Sequence, residues 1–501
     1  MADSLWVDEL HTSWTIADGF GEVYARAALG NQSPVFFWAQ WLITAMLGHS
    51  EIVLRSVSWL AANAFLVMLT LFVRYKTESI AAALSVGILM AIDSHLIFYA
   101  NEARPYALLQ LCAMLSAFSC YRYAQSNLAK DRFAWILLTV VSCYLHYTAG
   151  LLLFGEFAFL LLARRCKTIE GDGPSMRRLI MDLVVLAMFL LPTTPHLLDI
   201  AGRRVNWEQF INRREFWDVF SVLPSTRFVV ASFVAILFAL GVERVSLRLR
   251  TDARVTDERP PTRRPRLYGL VLLSICWFVV PTAVAFALNN TDVARVFFRR
   301  YLVSVIPATY LLIGLLISLP SSARSRAIVA AMVVMAGAYE SFTIQPISPF
   351  VVVKRHSRED WRTAVAVLNA NPRTSNRRGL VLLRAGLIED DFLRAKSTAW
   401  REYSKLPVSG IYRLDRNRTD IRSLPFTNAG ELETDTIELL RERGEAWLLL
   451  RGHKSTREDV VAAVIESTEN QFEMVDHRSF GPTLGLYEIQ RRDVSSRMRD
   501  Q

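Results

Sequence analysis

Cysteine is scarce in this chain, with 5 in 501 residues. Cys112, Cys120, Cys143 and Cys276 lie in apolar runs, Cys166 lies in a basic stretch, and the chain beyond residue 346 has none. That distribution excludes a disulfide framework and a zinc-binding spacing. No internal repeat or long low-complexity run occurs, and the last third has no Gly-rich phosphate loop or nucleophile elbow. An acidic excess is also missing. Lys and Arg number 57 against 47 Asp and Glu, a net charge of +10. Such a surplus would suit nucleic acid if it were clustered, but much of it sits in short loops between apolar runs, which argues against a nucleic-acid partner.

What the chain has in abundance is apolar sequence: 52% of residues, including 28 Phe and 12 Trp. Leu54 to Val73, Ile80 to Tyr99, Leu179 to Pro195, Phe228 to Val242, Leu267 to Leu288, Tyr301 to Leu319 and Ile328 to Tyr339 are nearly free of charge. Crossing a hydrocarbon core of about 30 Å takes roughly 20 apolar residues, and most of these runs reach that length with their flanks. A polytopic α-helical membrane protein follows.

Charge orients it. If Glu51 to Arg74 runs from outside to inside, the inner loops carry about 20 Lys and Arg and the outer ones about 10, the bias that fixes topology at insertion. Phe133 to Leu162 must then be two short spans turning near His146, for about ten spans in all. Residues 1–50, 99–105, 198–226, 289–300 and the tail fall outside. Ser33 to Leu47 is short for a span and would reverse every later loop, so it reads as an interfacial helix. Pro260, Pro261 and Pro265 mark a flexible inner loop. The expected division is residues 1–345 as a transmembrane domain, with outer loop and interfacial helix in 1–50, and 346–501 as a small extracytoplasmic α/β domain. In the latter, Gly379 to Leu383, Ala446 to Leu450 and Leu484 to Ile489 read as strands and Asp360 to Asn369 and Arg457 to Glu466 as helices. Ser455 with Glu458 reads as a capping box.

Four polar constellations lie on the expected outer face. Asp8 and Glu9 follow Trp6; adjacent helical residues diverge by about 100°, so one carboxylate can serve as general base while the other caps or pairs. The alternative is a solvated acidic terminus. Tyr99 to Tyr106 encloses Glu102 and Arg104 in a tight turn, with Pro105 suited to the first turn of the next helix; it offers a headgroup or phosphate site, or only an interfacial salt bridge. Arg295, Arg299, Arg300 and Tyr301 breach the positive-inside trend, and guanidinium pairs bidentately with phosphate; snorkelling is the bland reading. His146 stands between Tyr144 and Tyr147, as a ligand or a packing residue. Asp93, His95 and Glu156 fall in or near spans, where ionisable groups are costly, and have no assigned role.

Trp6-Val7-Asp8-Glu9, Asn31 to Phe37 with Gln32-Ser33-Pro34, Ser50 to Arg55, Asn101 to Tyr106 and Arg300-Tyr301-Leu302 occur in one order. In that order the chain resembles the GT-C glycosyltransferases, the dolichyl-phosphate-mannose protein mannosyltransferase and aminoarabinose transferase group, over roughly residues 5 to 320. The resemblance implies a GT-C-like fold in the plasma (inner) membrane with an extracytoplasmic active site. It implies inverting transfer of a hexosyl or pentosyl unit from a polyprenyl-phosphate donor to a lipid, glycan or protein acceptor. By the same resemblance Asp8 matches the general base and Glu9 its acidic neighbour. Glu102, Arg104, Arg300 and Tyr301 match the donor-phosphate site, with Asn31, Gln32 and His146 as further candidates. No cofactor is implied, and no metal ligand is assigned, although a divalent metal stays open. Two departures stand out. The family's first helix is missing before Asp8, and Gln32-Ser33-Pro34 replaces a basic residue before prolines. The rival is a multi-span transporter or lipid flippase, which would use intramembrane Asp93 and Glu156.

Overall fold

The computed structural model describes residues 3–166, 173–203, 212–249, 264–341, 359–370, 378–396, 398–427 and 432–492. The expected change of character at Ile347 and the Pro260-Pro261 loop lie outside them. The chain divides into two compact units, one made of Met1–Arg55 with Phe350–Gln501 and the other of Ser56–Pro349.

In the first unit, helices α1 (Val7–Thr15), α2 (Glu22–Leu29) and α3 (Val35–Leu47) precede α4 (Glu51–Thr77). Pro34 sits at the N-cap of α3, where a missing N–H costs nothing, and Gly48 ends it at φ 88. Helix α3 has 13 residues, which keeps it shorter than a span. The tail contributes a five-stranded sheet: β1 (Gly379–Arg384), β2 (Thr419–Ser423), β3 (Glu445–Arg451), β4 (Phe472–Ser479) and β5 (Leu484–Arg491). Their order is β2-β1-β3-β5-β4; β1 runs parallel to β2 and β3, and β5 antiparallel to β3 and β4. The continuous apolar runs Leu380 to Leu383 and Trp447 to Leu450 are buried at every position, as central strands covered on both faces must be. Helix Trp361–Ala370 begins after Asp360, whose carboxylate accepts the Thr363 N–H at 3.1 Å. Helix Lys454–Ser467 starts one residue ahead of Ser455, with His453 at its N-cap and no side-chain cap. The expected Ser455–Glu458 box is therefore not formed, and Glu458 pairs with Lys454 at 3.7 Å.

The N-terminal segment is part of this unit rather than an appendage of it. Helix α1 packs on the turn Leu406–Val408. Leu5 N–H donates to the Tyr412 hydroxyl at 2.9 Å, and Tyr412 in turn donates to Glu51 at 3.1 Å. Ile411 N–H donates to Ser13 Oγ at 2.7 Å, and Gly410 permits this approach, since a Cβ there would lie 2.6 Å from the same hydroxyl.

The second unit is helical. Four helices among the described residues are long and apolar enough to cross a membrane: Glu51–Thr77, Tyr147–Cys166, Met176–Gly202 and Leu267–Asn290. Two bent pairs could each serve as one more: α5 (Ile80–Ile92) with α6 (Ser94–Ala100) at 65°, and Phe216–Val222 with Ser225–Ala239 at 106°. These apolar helices make the chain a multi-pass membrane protein. Helices α7 (Tyr106–Ser126), α8 (Ala129–Leu145) and α9 (Gly150–Cys166) follow, with the turn between the last two at His146. Helix Ile306–Ile317 is buried at every one of its 12 positions and forms the centre of the bundle.

With lipid outside, packing and interhelical hydrogen bonds hold such helices together. Buried Glu156 of α9 accepts from Ser116 at 2.6 Å, Trp135 at 2.8 Å and Thr139 at 3.2 Å, tying three helices with neutral donors. Gly155 beside it lets α9 meet Leu267–Asn290 closely, because a Cβ there would stand 2.9 Å from the Cys276 carbonyl. That atom is backbone and cannot rotate away. Gly155→Val should therefore lower stability by about 1–3 kcal/mol, read as a fall in thermal midpoint in detergent. An unchanged midpoint would mean that this helix pair packs differently.

Candidate functional site

The first unit holds Asp8, Glu9, Asn31 and Gln32. Every residue of α1 is buried except Asp8, which is partly exposed. Glu9 points the other way. Its carboxylate receives Arg55 Nε at 2.7 Å and Nη2 at 2.5 Å, a bidentate pair with the arginine side chain 2% exposed and the glutamate 0%. Glu9 also accepts the Trp6 N–H at 3.4 Å, while Arg55 Nη1 donates to the Asp3 carbonyl at 3.0 Å. Of the adjacent carboxylates, Glu9 is locked in a buried ion pair and Asp8 is partly exposed. Sequence reading paired Asp8 and Glu9 but gave Arg55 no role; an arginine one turn into an otherwise apolar span was the available signal. Asn31 adopts φ 57 and its amide donates to Glu389 at 2.7 Å, so this residue ties the α2–α3 loop to the tail. Gln32 N–H closes the same turn on the Ala27 carbonyl at 3.0 Å.

The second unit gathers Glu102, Arg104, His146, Arg300 and Tyr301. Asp93 starts this arrangement. As N-cap of α6 its carboxylate accepts the His95 N–H at 2.6 Å and the Leu96 N–H at 3.2 Å, and its other oxygen takes the Tyr310 hydroxyl at 2.5 Å. The break at Asp93 bends the span and turns α6 toward the loop 101–105. There the Arg104 N–H folds back on the Glu102 carbonyl at 2.7 Å, and Ser58 Oγ donates to the Arg104 carbonyl at 2.9 Å. Glu102 and Arg104 are 1% and 4% exposed, unusual for charged residues in a loop.

Aromatic rings join this turn to two others. Tyr99 meets Tyr106 at 5.2 Å between centroids, Tyr106 meets His146 at 5.8 Å, and His146 meets Tyr301 at 5.7 Å. Thr148 Oγ donates to the Tyr301 carbonyl at 2.9 Å. Arg300 lies over the Phe298 ring at 5.4 Å. Burial, then the guanidiniums of Arg104 and Arg300, push the His146 imidazole down to about 3, so it is neutral at physiological pH. Both arginines thus lie near the His146 ring. His95, which has no assigned role in the sequence, meets Arg299 of the third constellation at 2.8 Å, and Arg299 also donates to the Ser221 carbonyl at 2.9 Å. Such a concentration of guanidinium and imidazole among tyrosines suits an anion with several oxygens. Among the described residues no group of three or more His, Cys, Asp or Glu could hold a metal ion.

Residues 31–196 match the family model described as dolichyl-phosphate-mannose-protein mannosyltransferase. No curated protein matches the chain. Among solved structures, it is similar to ArnT from Cupriavidus metallidurans bound to undecaprenyl phosphate, at 14% identity and a TM-score of 0.48, and to the same protein in the apo state, at 12% and 0.42. Each likeness covers 97% of this chain and 94% of that one.

The two carboxylates of α1 can be separated by measurement. Breaking a buried ion pair by removing one charge costs about 3–5 kcal/mol, so Glu9→Gln should lower the thermal midpoint sharply, and Asp8→Asn should leave it close to wild type. Equal losses would show that Asp8 is also a structural residue.

Proposed function

We propose that the chain is a membrane glycosyltransferase that moves a sugar from a polyprenyl-phosphate donor to an acceptor hydroxyl on the extracytoplasmic side. The observation that carries this reading is the convergence of Glu102, Arg104, His146, Arg300 and Tyr301 on three short turns, inside a segment that partly overlaps the mannosyltransferase-like residues 31–196. An anion-binding cluster of this kind fits the phosphate of a lipid-linked donor, and its aromatic edges fit the membrane interface.

In this reading Asp8 is the general base. It takes the proton of the acceptor hydroxyl as the new C–O bond forms at the anomeric carbon, and the bond from that carbon to the phosphate oxygen breaks with inversion. Arg104 and Arg300 stabilise the charge that collects on the departing phosphate, the larger part of the rate enhancement in such transfers. Glu9 fixes α1 through Arg55 and so acts as a positioning residue, while Glu102 shapes the turn that carries Arg104. The hydroxyl of Tyr301 and the ring of His146 complete the phosphate's surroundings. The further topology belongs to the same proposal: about ten spans, an inner (plasma) membrane location, and residues 1–50 and the tail outside the cytoplasm.

The intramembrane carboxylates favour an enzyme over a transporter. Asp93 is engaged as a helix cap and by Tyr310, and Glu156 by three neutral donors. Both are occupied in holding helices together. A transported substrate or ion would need such groups available near the midplane.

The test is sugar transfer from polyprenyl-phosphate-mannose, with a polyprenyl-phosphate-pentose as second donor, in membranes carrying the variants. Loss of a general base should cut turnover by roughly 10²–10⁴ in Asp8→Asn with donor affinity kept. Arg300→Lys should instead weaken donor affinity, because a point charge lacks the bidentate fork. Full turnover in Asp8→Asn would remove the base assignment. Unaltered donor affinity in Arg300→Lys would leave Arg300 as an interfacial residue only.

A further inference from the structure

A cleft of about 540 Å³ opens in the first unit between α1 and the turn 409–417. Trp14, Asp18 and Arg26 line one wall, and Glu402, Arg413 and Arg416 the other. The Trp14 wall is firm: the ring is 2% exposed, Arg26 lies 4.9 Å over it, and Arg26 Nη1 donates to the Trp14 carbonyl at 2.7 Å. The other wall is loosely paired. Arg416 stands 3.3 Å from Glu402 with side chains 58% and 54% exposed, and Arg413 stands 4.0 Å from Asp18 at 59% and 50%. Exposed pairs of this length are weakly held against water, so they yield readily to a ligand.

The mixture of groups narrows the ligand. Three guanidiniums, of Arg26, Arg413 and Arg416, stand with three carboxylates, of Asp18, Glu402 and Asp415; Asp18 is paired to Arg26, and Ser409 Oγ lies 3.3 Å from Arg416. An acyl chain would leave the charged groups of this lining without partners. A dense polyanion would meet carboxylates on both walls. A saccharide fits, because each hydroxyl both donates and accepts, and neighbouring hydroxyls can bridge a guanidinium and a carboxylate. The volume is in the range of small-molecule sites and takes a short oligosaccharide. Position agrees with this use. Trp14 follows Asp8 by six residues on one helix, a rise of about 9 Å at 1.5 Å per residue.

We infer that this cleft binds a saccharide, the glycan acceptor of the transfer reaction. The inference rests on the proposed glycosyltransferase activity for the word acceptor, but the binding itself does not. The experiment is equilibrium binding of the full-length, detergent-solubilised protein to an immobilised array of neutral hexose and heptose oligosaccharides and their uronate-bearing counterparts. At least one should bind saturably. Arg413→Ala with Arg416→Ala should weaken that binding at least tenfold at an unchanged thermal midpoint, and Arg416→Ala alone by a smaller factor, should the double variant fold poorly. Asp8→Asn should bind the same glycan undiminished while failing to transfer to it. Absence of saturable binding to every oligosaccharide, or binding indifferent to Arg413 and Arg416, would overturn the inference, as would tight competition by an unglycosylated peptide. Glycan binding that depends on the cleft together with full transfer by Asp8→Asn would keep the cleft and discard the base.

Discussion

The buried pair of Glu9 and Arg55 is the contact on which the N-terminal arrangement depends. Two complementary charges, both almost fully withdrawn from water, are tolerable only because the geometry is bidentate and the remaining donors and acceptors are met by Trp6 N–H and the Asp3 carbonyl. The pair anchors the short helix α1 to the second turn of α4. A helix of nine residues has little stability of its own. Held at Glu9 and seated on the 406–408 turn, it keeps Asp8 in one orientation, and the same seating forms one wall of the saccharide cleft.

The bundle uses a comparable device. Asp93 interrupts an apolar run, and the cost of an ionisable residue there is offset by two backbone N–H groups and the Tyr310 hydroxyl. The break turns α6 so that His95 reaches Arg299 and the loop carrying Glu102 and Arg104 lies against the same aromatic cluster as Arg300. Arginines kept against the topological trend have a cost at insertion. Here Arg299 meets His95 and Arg300 lies near His146, whereas Arg295 pairs with Asp292 at 2.6 Å, so the proposed site takes in the first two and not the third.

Much of the helical plan was legible in the amino-acid sequence, because span-forming runs are local and long. The turn at His146 lies where the charge bias put it, and the short helix within Ser33 to Leu47, the three apolar strands and the helix beginning after Asp360 lie where apolar length and periodicity put them. The polar constellations around residues 99–106, 146 and 299–301 were also visible, but only as separate loops. Their meeting is a tertiary fact carried by ring contacts between residues far apart in sequence. Glu9 was legible as an acidic neighbour and not as a locked one, since its partner lies 46 positions away. Likewise, the joining of residues 1–55 to the tail rests on hydrogen bonds such as Leu5 to Tyr412, across a separation of 407 positions, which no local pattern announces. The capping box at Ser455 failed for a local reason: the helix starts at Lys454, which puts Ser455 past the cap.

The central claim is that the arginine-bearing turns of the bundle receive the phosphate of a polyprenyl carrier. The most direct measurement is photo-crosslinking with a polyprenyl phosphate that carries a diazirine on the isoprenoid unit next to the phosphate, followed by peptide mapping of the full-length protein. The account predicts adducts concentrated in the segments around residues 95–106 and 295–305, and competed away by unlabelled polyprenyl phosphate. Adducts confined to other helices, or spread evenly and indifferent to competitor, would contradict it.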